Sequence, residues 1–553
     1  MRRNVWLSIA MLVVGVGLLV AAGLASPASS GTDKSTAGEA KKGGTLRFSK
    51  STDVDYVDPA LAYFTDTFGL IGFATCAKLY SYPDKAGAAG AVVIPEVADG
   101  NPTVSKNGKT YTIKLKKTYR FHTGAKITAA SFVLAFNRDA NPKMQSPATS
   151  YMKEIVGAQA AIEGKASRIS GIKAKGPYVL EIKTTKPVPD LVARLTMPFF
   201  CPVTPAMGIE PDGVNNPAGS GPYYVSERTV NRQLVLSKNR FYKGPRPANV
   251  DRFVWTIGPS LASCKLNVEQ DSTDYCVDGV PPTAYKEIAD KFGVNRPNGQ
   301  FFFNTALGTS YFALNHNRDA FKGKGQIPLK KAVNFAIDRP ALVRASGFLG
   351  GKRTDQILPP AMTKDVKLYP LKGADPNGAR KLYGQAGNKP NKLVLYSTPT
   401  GARVIRAQVL QFNLKQIGID VEVKQFARAV QHEKCATRGE PFDICDEGWL
   451  VDYADAVTFF EPLLNGNNIQ ETSNSNEAYF NDPVYNKKIE AIGKLSGKAR
   501  EQGWANLDGD IMKNAVPWAP FLNITIRDFI SKSTGCYLYH PVWEFDLAAA
   551  CKK

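Results

Sequence analysis

The sequence predicts a mixed α/β protein with strands throughout, and three stretches carry that prediction. "LVLYST" reads as a strand, "ARVIRAQVLQFNLKQIG" as a helix ending at Gly418, and "DVEVKQF" as a second strand. A strand–helix–strand order implies parallel neighbours in a layered sheet. "KTYTIKLKK" places Tyr111, Ile113 and Leu115 on one face and Thr112, Lys114 and Lys116 on the other, the period of a half-buried strand. It is followed by "TAASFVLAFNRD", where Phe132, Ala135 and Phe136 share a helical face behind Thr128 as N-cap.

The remaining elements follow in chain order. "GGTLRFS" starts a strand, since Leu46 and Phe48 alternate with polar neighbours. "KNG" at 106 to 108 is the turn that begins the Tyr111 strand, and "YVLEIKT" and "RQLVLSKN" read as further strands. "LKKAVNFAIDRPALVRAS" is an amphipathic helix in which Pro340 marks a break or a fresh start. "DPNGARKLYGQAG" is a short helix with Gly387 as its stop. No internal repeat is visible, and 553 residues suffice for several compact units.

The N-terminus carries Arg2 and Arg3, an apolar run from Val5 to Ala25, small residues and then a polar tail. These are the parts of an export signal. The run is also long enough to span a bilayer, so a cleaved signal and a retained anchor both stay open. Either way the mature chain works outside the cytoplasmic membrane, in the periplasm or the extracellular envelope. The eight cysteines fit an exported, disulfide-bonded chain. Proximity pairs Cys264 with Cys276, Cys435 with Cys445 and Cys536 with Cys551, which leaves Cys76 for Cys201.

A net charge of +21 is spread along the chain rather than massed in one run. It reads as a solvated surface, or as attraction toward anionic lipids or cell-wall polymers. No nucleic-acid module is present. Metal chemistry lacks a Cys-x-x-Cys motif, and the four histidines, His122, His316, His432 and His540, stand far apart. No Gly-x-Ser-x-Gly, His-Glu-x-x-His or phosphate-binding Gly-rich loop occurs, so no catalytic residue is nominated, and no cofactor.

One segment runs against the basic balance. "EGWLVDYAD", residues 447 to 455, gathers Glu447, Asp452 and Asp455, with Asp446 just upstream, around Trp449 and Tyr453. Asp455 precedes "AVTFFEPLL" and serves equally as a helix cap, while Asp446 and Glu447 read as solvated.

Several stretches together resemble the family 5 extracellular solute-binding proteins of ABC transporters, the oligopeptide-, dipeptide- and nickel-binding type. They are "GGTLRFS" with "VDPALAY", "PEVADGNPTVSKNGKTYTIKLKKTYRFHTGAKITAASFVLAFNR", "GSGPYYV" with "LVLSKNRFYKG", "YFALNHN", "KKAVNFAIDRPALV", "ARKLYGQAG" and "FDICDEGWLVDYADAVTFF". They run in family order over nearly the whole mature chain. The chain departs from the pattern at Ser131, where the family has an acidic residue and where a surface change is expected, and at Ala456, which replaces a proline. It also lacks a lipoprotein cysteine.

The resemblance implies a two-lobed periplasmic-binding-protein type II fold with an extra subdomain in lobe 1. The residues themselves set a signal or anchor at 1–25 and a disordered linker at 26–43 before these lobes. Lobe 1 would combine 44–78, 209–300 and 507–553, with 79–208 as the extra subdomain, and lobe 2 would span 301–506. The resemblance further implies a monomer that captures a peptide or other small solute and delivers it to a membrane permease. In oligopeptide-binding members the Asp three residues after the Trp holds the ligand's α-amino group, which here is Asp452 after Trp449. Gly448, Tyr453 and Asp455 would line the same loop, with Tyr63, Phe64, Phe303 and Asn315 as further candidates. A nickel or haem carrier using His432 or His316 is the alternative on this scaffold, and a solute sensor or a secreted hydrolase are more distant ones.

Overall fold

A computed structural model describes residues 41–364 and 366–553. The apolar N-terminal run lies outside the described residues, and no helix among those described is long and apolar enough to cross a membrane. The last residues of the expected linker are already tied down: Lys41 bridges Lys552, and the Gly43 amide donates to Asn249 O at 2.7 Å.

The first sheet has five strands in the order Tyr275–Cys276, Thr45–Lys50, Arg252–Ile257, Gln233–Lys238 and Tyr223–Thr229. Leu46 and Phe48 point inward from the opening strand, where they meet Phe253, Trp255, Leu234 and Leu236. The alternation read from "TLRFSK" is therefore the burial pattern of the strand.

The second sheet has six strands in the order Gly351–Arg353, Trp518–Phe529, Phe301–Leu314, Ile444–Leu450, Lys392–Ser397 and Asp420–Gln425. Lys392–Ser397 and Asp420–Gln425 pair in parallel, joined by the helix Ala402–Lys415. The helix Ile327–Ala336 ends before a second one, Arg339–Ala345, whose start is capped by Asp338 accepting from the Ala341 amide at 3.0 Å. Pro340 thus begins a new helix. The helix Pro376–Gly384 stops short of Gly387.

A third, four-stranded sheet contains Thr110–Lys114 and Val179–Lys183 and packs on the helix Ala129–Asp139, burying Phe132 and Phe136. Ser131 is buried here, contrary to the expected surface role, and its Oγ accepts from the Thr128 amide at 3.3 Å. A serine completes that capping box where an acidic side chain would bring a charge into the core.

Two long strands link the first and second sheets. Phe301–Leu314 and Trp518–Phe529 pair antiparallel, with register shifts between Thr305 and Thr309 and between Ser310 and Tyr311. At one end Phe301 and Phe529 pack with Cys276 of the first sheet, and the Tyr275 hydroxyl donates to Asp528 at 2.6 Å. At the other end both strands lie inside the second sheet. The expected boundary at 506/507 gives Trp518–Phe529 to the first lobe, whereas its ladder belongs to the second sheet. Local periodicity marks a strand but does not say which sheet accepts it.

All eight cysteines are paired, as Cys76–Cys201, Cys264–Cys276, Cys435–Cys445 and Cys536–Cys551. Cys76–Cys201 closes the longest loop, with a sequence separation of 125. In the chain-entropy picture removing it costs about 5 kcal/mol, against ~3 kcal/mol for each short loop. Guanidinium unfolding of the four double-alanine variants is therefore expected to rank Cys76/Cys201 as the most destabilised. An equal loss for all four would mean that loop length does not set the contribution.

Candidate functional site

Two segments face each other where the sheets meet. The strand Ile444–Leu450 pairs along its whole length with Phe301–Leu314, but Lys392–Ser397 reaches only Ile444 and Cys445. The other edge of Glu447–Leu450 has no strand partner among the described residues. Opposite stands the turn that carries Tyr63 and Phe64. Asp55 pins it by accepting from the Tyr63 and Phe64 amides at 2.7 and 2.8 Å and from the Thr67 hydroxyl. Tyr63 meets Trp449 edge-on at 5.6 Å, and Phe64 packs against His432 at the same separation. Between them lies a cavity of about 290 Å³, walled by Tyr63, Phe64, Gly448, Trp449 and Asp452.

Asp452 enters this cavity with no ion-pair partner among the described residues. It is 4% exposed, it accepts a hydrogen bond from the Tyr151 hydroxyl, and Tyr151 is within 3.1 Å of the Tyr63 hydroxyl. Burial pushes its carboxyl up to about 7, and the tyrosine hydroxyls offset this only in part. The residues after it lock the loop in place. The Tyr453 hydroxyl donates to Asp190 at 2.7 Å and the Ala454 amide to Tyr82 at 3.1 Å. Asp455 accepts from the Val457 amide at 2.9 Å and pairs with Arg500 at 2.8 Å. These contacts place Asp452 by its neighbours' anchorage, so little motion is left to it.

The other acids of the segment are not solvated. Asp446 and Glu447 are both buried, because helices on either side deliver arginines to them. Arg428 forks onto Glu447 at 2.7 and 2.8 Å, and Arg403 stands 3.7 Å from it. Burial opposes the Glu447 charge, but Arg428 and Arg403 hold its carboxyl below the ordinary range. His432 lies 2.9 Å from Glu477, whose carboxyl is raised by burial and by the Glu447 charge. On the far wall Lys50 sits between Asp278 and Asp66 at 2.7 and 3.2 Å. Burial works against the Lys50 charge, yet the two aspartates hold its pKa above the ordinary value.

The sequence-nominated residues divide accordingly. Tyr63, Phe64, Gly448, Trp449 and Asp452 come together in the cavity. Tyr453 and Asp455 do not line it, because Asp190 and Arg500 draw them to its outer side. Phe303 lies at the strand crossing, its amide donating to Asn295 at 2.8 Å. Asn315 is a buried turn-former that donates to Phe442 O at 3.0 Å and accepts from the Asn317 amide. Neither faces the cavity. Residues that the sequence did not nominate, Lys50, Arg428, Glu477 and Glu544, complete the walls.

One cluster has metal-ligand spacing: His432, Glu447 and Glu477 bring donor atoms within 4.8 Å of one another. Arg428 occupies both Glu447 oxygens and sets a full positive charge against the trio, which opposes a cation there. His316 is half-buried beside Lys330 at 3.4 Å, away from the cavity. The cysteines of the second donor group, Cys435 and Cys445, are bonded to each other.

A pair of sheets joined by long crossing strands, with a cavity between them lined by aromatic and charged side chains, defines a two-lobed binding protein. The family model for bacterial extracellular solute-binding proteins, family 5 (middle), matches residues 92–471, and the chain belongs to that family. The periplasmic oligopeptide-binding protein OppA of Haemophilus influenzae is 25% identical over 427 residues, 72% of this chain and 75% of that protein. The periplasmic murein peptide-binding protein MppA of Escherichia coli is 27% identical over 455 residues, 78% of this chain and 80% of that protein. The solved structure of the Escherichia coli MppA superposes with a TM-score of 0.78 at 22% identity, covering 93% of this chain and 99% of that one, and shares the fold.

Proposed function

We propose that the protein captures short peptides with a free amino terminus between its lobes and delivers them to the permease of an ABC importer. The observation that carries this is Asp452: a buried carboxylate facing a cavity, with no ion-pair partner among the described residues. A ligand ammonium placed there forms a charge-assisted hydrogen bond, roughly twice as strong as a neutral one. It also relieves the cost of a lone buried charge.

The surroundings suit a peptide. The aromatic faces of Trp449 and Tyr63 offer cation–π attraction and apolar contact. The unpaired strand edge at Gly448 can take an extended backbone by strand addition. The buried Trp449 Nε1 has no acceptor and is free to donate to a ligand carbonyl. A cavity of about 290 Å³ sits at the small end of ligand pockets, which favours short peptides over long ones. The printed names of the relatives, oligopeptide- and murein-peptide-binding proteins, point the same way.

On this reading the protein is a monomeric carrier and not an enzyme. The Thr45–Lys50 sheet and the subdomain at 79–208 form one lobe. The Phe301–Leu314 sheet, including Trp518–Phe529, forms the other. Export and any anchoring reside in the N-terminal segment.

Native mass spectrometry of the purified protein, before and after mild unfolding, tests the ligand class. A heterogeneous set of short released peptides is the expected result. A single metal complex or a sugar would overturn the reading.

A further inference from the structure

Six carboxylates line the cavity, and the chain answers four of them. Asp66 and Asp278 share Lys50, Glu447 is held by Arg428, and Glu477 faces His432. Asp452 and Glu544 have no ion-pair partner among the described residues. The proposed amino-terminus contact accounts for Asp452. It leaves Glu544 unexplained.

Glu544 is held where it stands by a built turn. It opens the second strand of the hairpin Tyr539–His540 and Glu544–Phe545, paired with His540, and its φ is +67°. A glutamate adopts that left-handed conformation only when its surroundings enforce it. Here they do. Burial keeps His540 neutral, its pKa pushed down to about 3. Its Nδ1 therefore accepts from the Val542 and Trp543 amides at 3.1 and 3.3 Å. The His540 ring stacks on Trp543 at 3.4 Å, and Trp543 lies on Phe73 at 4.1 Å. Although the residue as a whole is partly exposed, Glu544 Oε1 is sealed from solvent and has no hydrogen-bond partner. Burial, with the charges of Asp528 and Asp66, pushes this carboxyl up to about 8. A strained backbone that holds an unanswered acid against a cavity wall is costly to the empty protein, and a cation from outside removes the cost.

We propose that Glu544 is a second cation subsite, which takes the lysine- or arginine-type side chain of the same solute whose amino terminus lies at Asp452. The favoured ligand is then a short peptide carrying two positive charges; this rests on the peptide reading above. The two acids belong to different halves of the molecule. Asp452 follows a strand of the second sheet, while the Glu544 hairpin packs on the segment Asp66–Ile71 beside the first. A dication that touches both makes its full set of contacts only when the halves are together, so it favours closure by differential affinity. Above about pH 8, where both carboxyls are ionised, the two charges across one cavity also disfavour closure without ligand.

The experiment is calorimetry at pH 8 on ligand-stripped full-length protein with four probes: Ala-Lys-Ala, Ala-norleucine-Ala, 1,5-diaminopentane and pentylamine. Wild type is expected to bind Ala-Lys-Ala at least tenfold more tightly than its norleucine isostere. Glu544→Gln is expected to erase that preference while leaving norleucine-peptide affinity within about twofold. Asp452→Asn weakens both peptides. A wild-type preference below twofold, or one that survives in Glu544→Gln, overturns the subsite. If neither peptide binds, the peptide reading fails and the amines decide. Tighter binding of the diamine than of pentylamine, lost in Glu544→Gln, upholds the subsite; equal or absent binding overturns it. If Glu544→Gln does not fold, the wild-type lysine-to-norleucine and diamine-to-pentylamine ratios are decisive alone.

Discussion

Asp452→Asn is expected to weaken binding of a peptide with a free amino terminus by at least ~30-fold, the ~2 kcal/mol lower end for truncating a buried charged hydrogen bond. The same peptide N-acetylated should bind wild type and variant with little difference, because it brings no ammonium to the site. The variant should also be the more stable protein when empty. In the wild type the Asp452 carboxyl moves from the model-peptide value of 3.8 to about 7 on folding. A carboxyl raised in the folded state favours folding while protonated, and that advantage is lost as pH rises through the folded value. At pH 8 the ionised group therefore costs on the order of 4 kcal/mol. Asparagine keeps a hydrogen-bonding side chain for Tyr151 and removes the charge. Calorimetry with the two peptides and thermal unfolding at pH 8 check both halves. Equal loss for free and acetylated peptides would remove Asp452 from the amine-binding role, and a lower melting temperature would mean that its charge is already compensated.

Much of the fold was legible because its signals are local. The parallel pair Lys392–Ser397 and Asp420–Gln425 could be read from two short strand-like runs and the helix between them. The cysteine pairs could be read because three are near neighbours in sequence and the fourth is what remains. Asp452 was legible only through resemblance, since an acid near a tryptophan is as often a cap, which is the role Asp455 takes.

What stayed hidden depends on distance along the chain. Lys50 meets Asp278 across 228 residues, and no periodicity relates them. Asp446 and Glu447 looked solvated because a carboxylate is normally exposed. Their burial follows from Arg403 and Arg406, on a helix that the sequence places but does not orient, and from Arg428, on a helix not read from the sequence. Glu544 sits in "HPVWEF", which carries no motif; its position becomes meaningful only once His540 and Trp543 are seen to set the turn. The ladder of the long strand Trp518–Phe529 lies in the second sheet, away from the expected grouping of 507–553 with the first, for the same reason: sheet partners are chosen by tertiary packing.

Binding should follow a bell-shaped pH profile, with its acid limb set by the protein and its alkaline limb by the ligand. Below about 7 the Asp452 carboxyl of the empty cavity holds a proton, which a ligand ammonium must displace. Affinity for a peptide with only an amino terminus should therefore fall by about tenfold per unit, or ~100-fold from pH 7 to pH 5. A lysine-containing peptide should fall more steeply, because Glu544, raised to about 8, releases a second proton. Above about 8 the peptide α-amino group itself deprotonates and binding weakens again. The groups facing Asp452 are the Tyr63 and Tyr151 hydroxyls, both held well above their ordinary values by burial and by the Asp452 charge, so they stay protonated throughout. Glu477 and His432 also line the cavity and can contribute their own slope, so the assignment rests on the variant. Asp452→Asn should flatten the acid limb for the simple peptide while leaving the alkaline limb in place. Dissociation constants from pH 5 to 9, with calorimetry in two buffers of different ionisation heat, count the protons released. An acid limb of unchanged slope in Asp452→Asn would assign the titration to His432 and Glu477, and the amine would then have to sit elsewhere in the cavity.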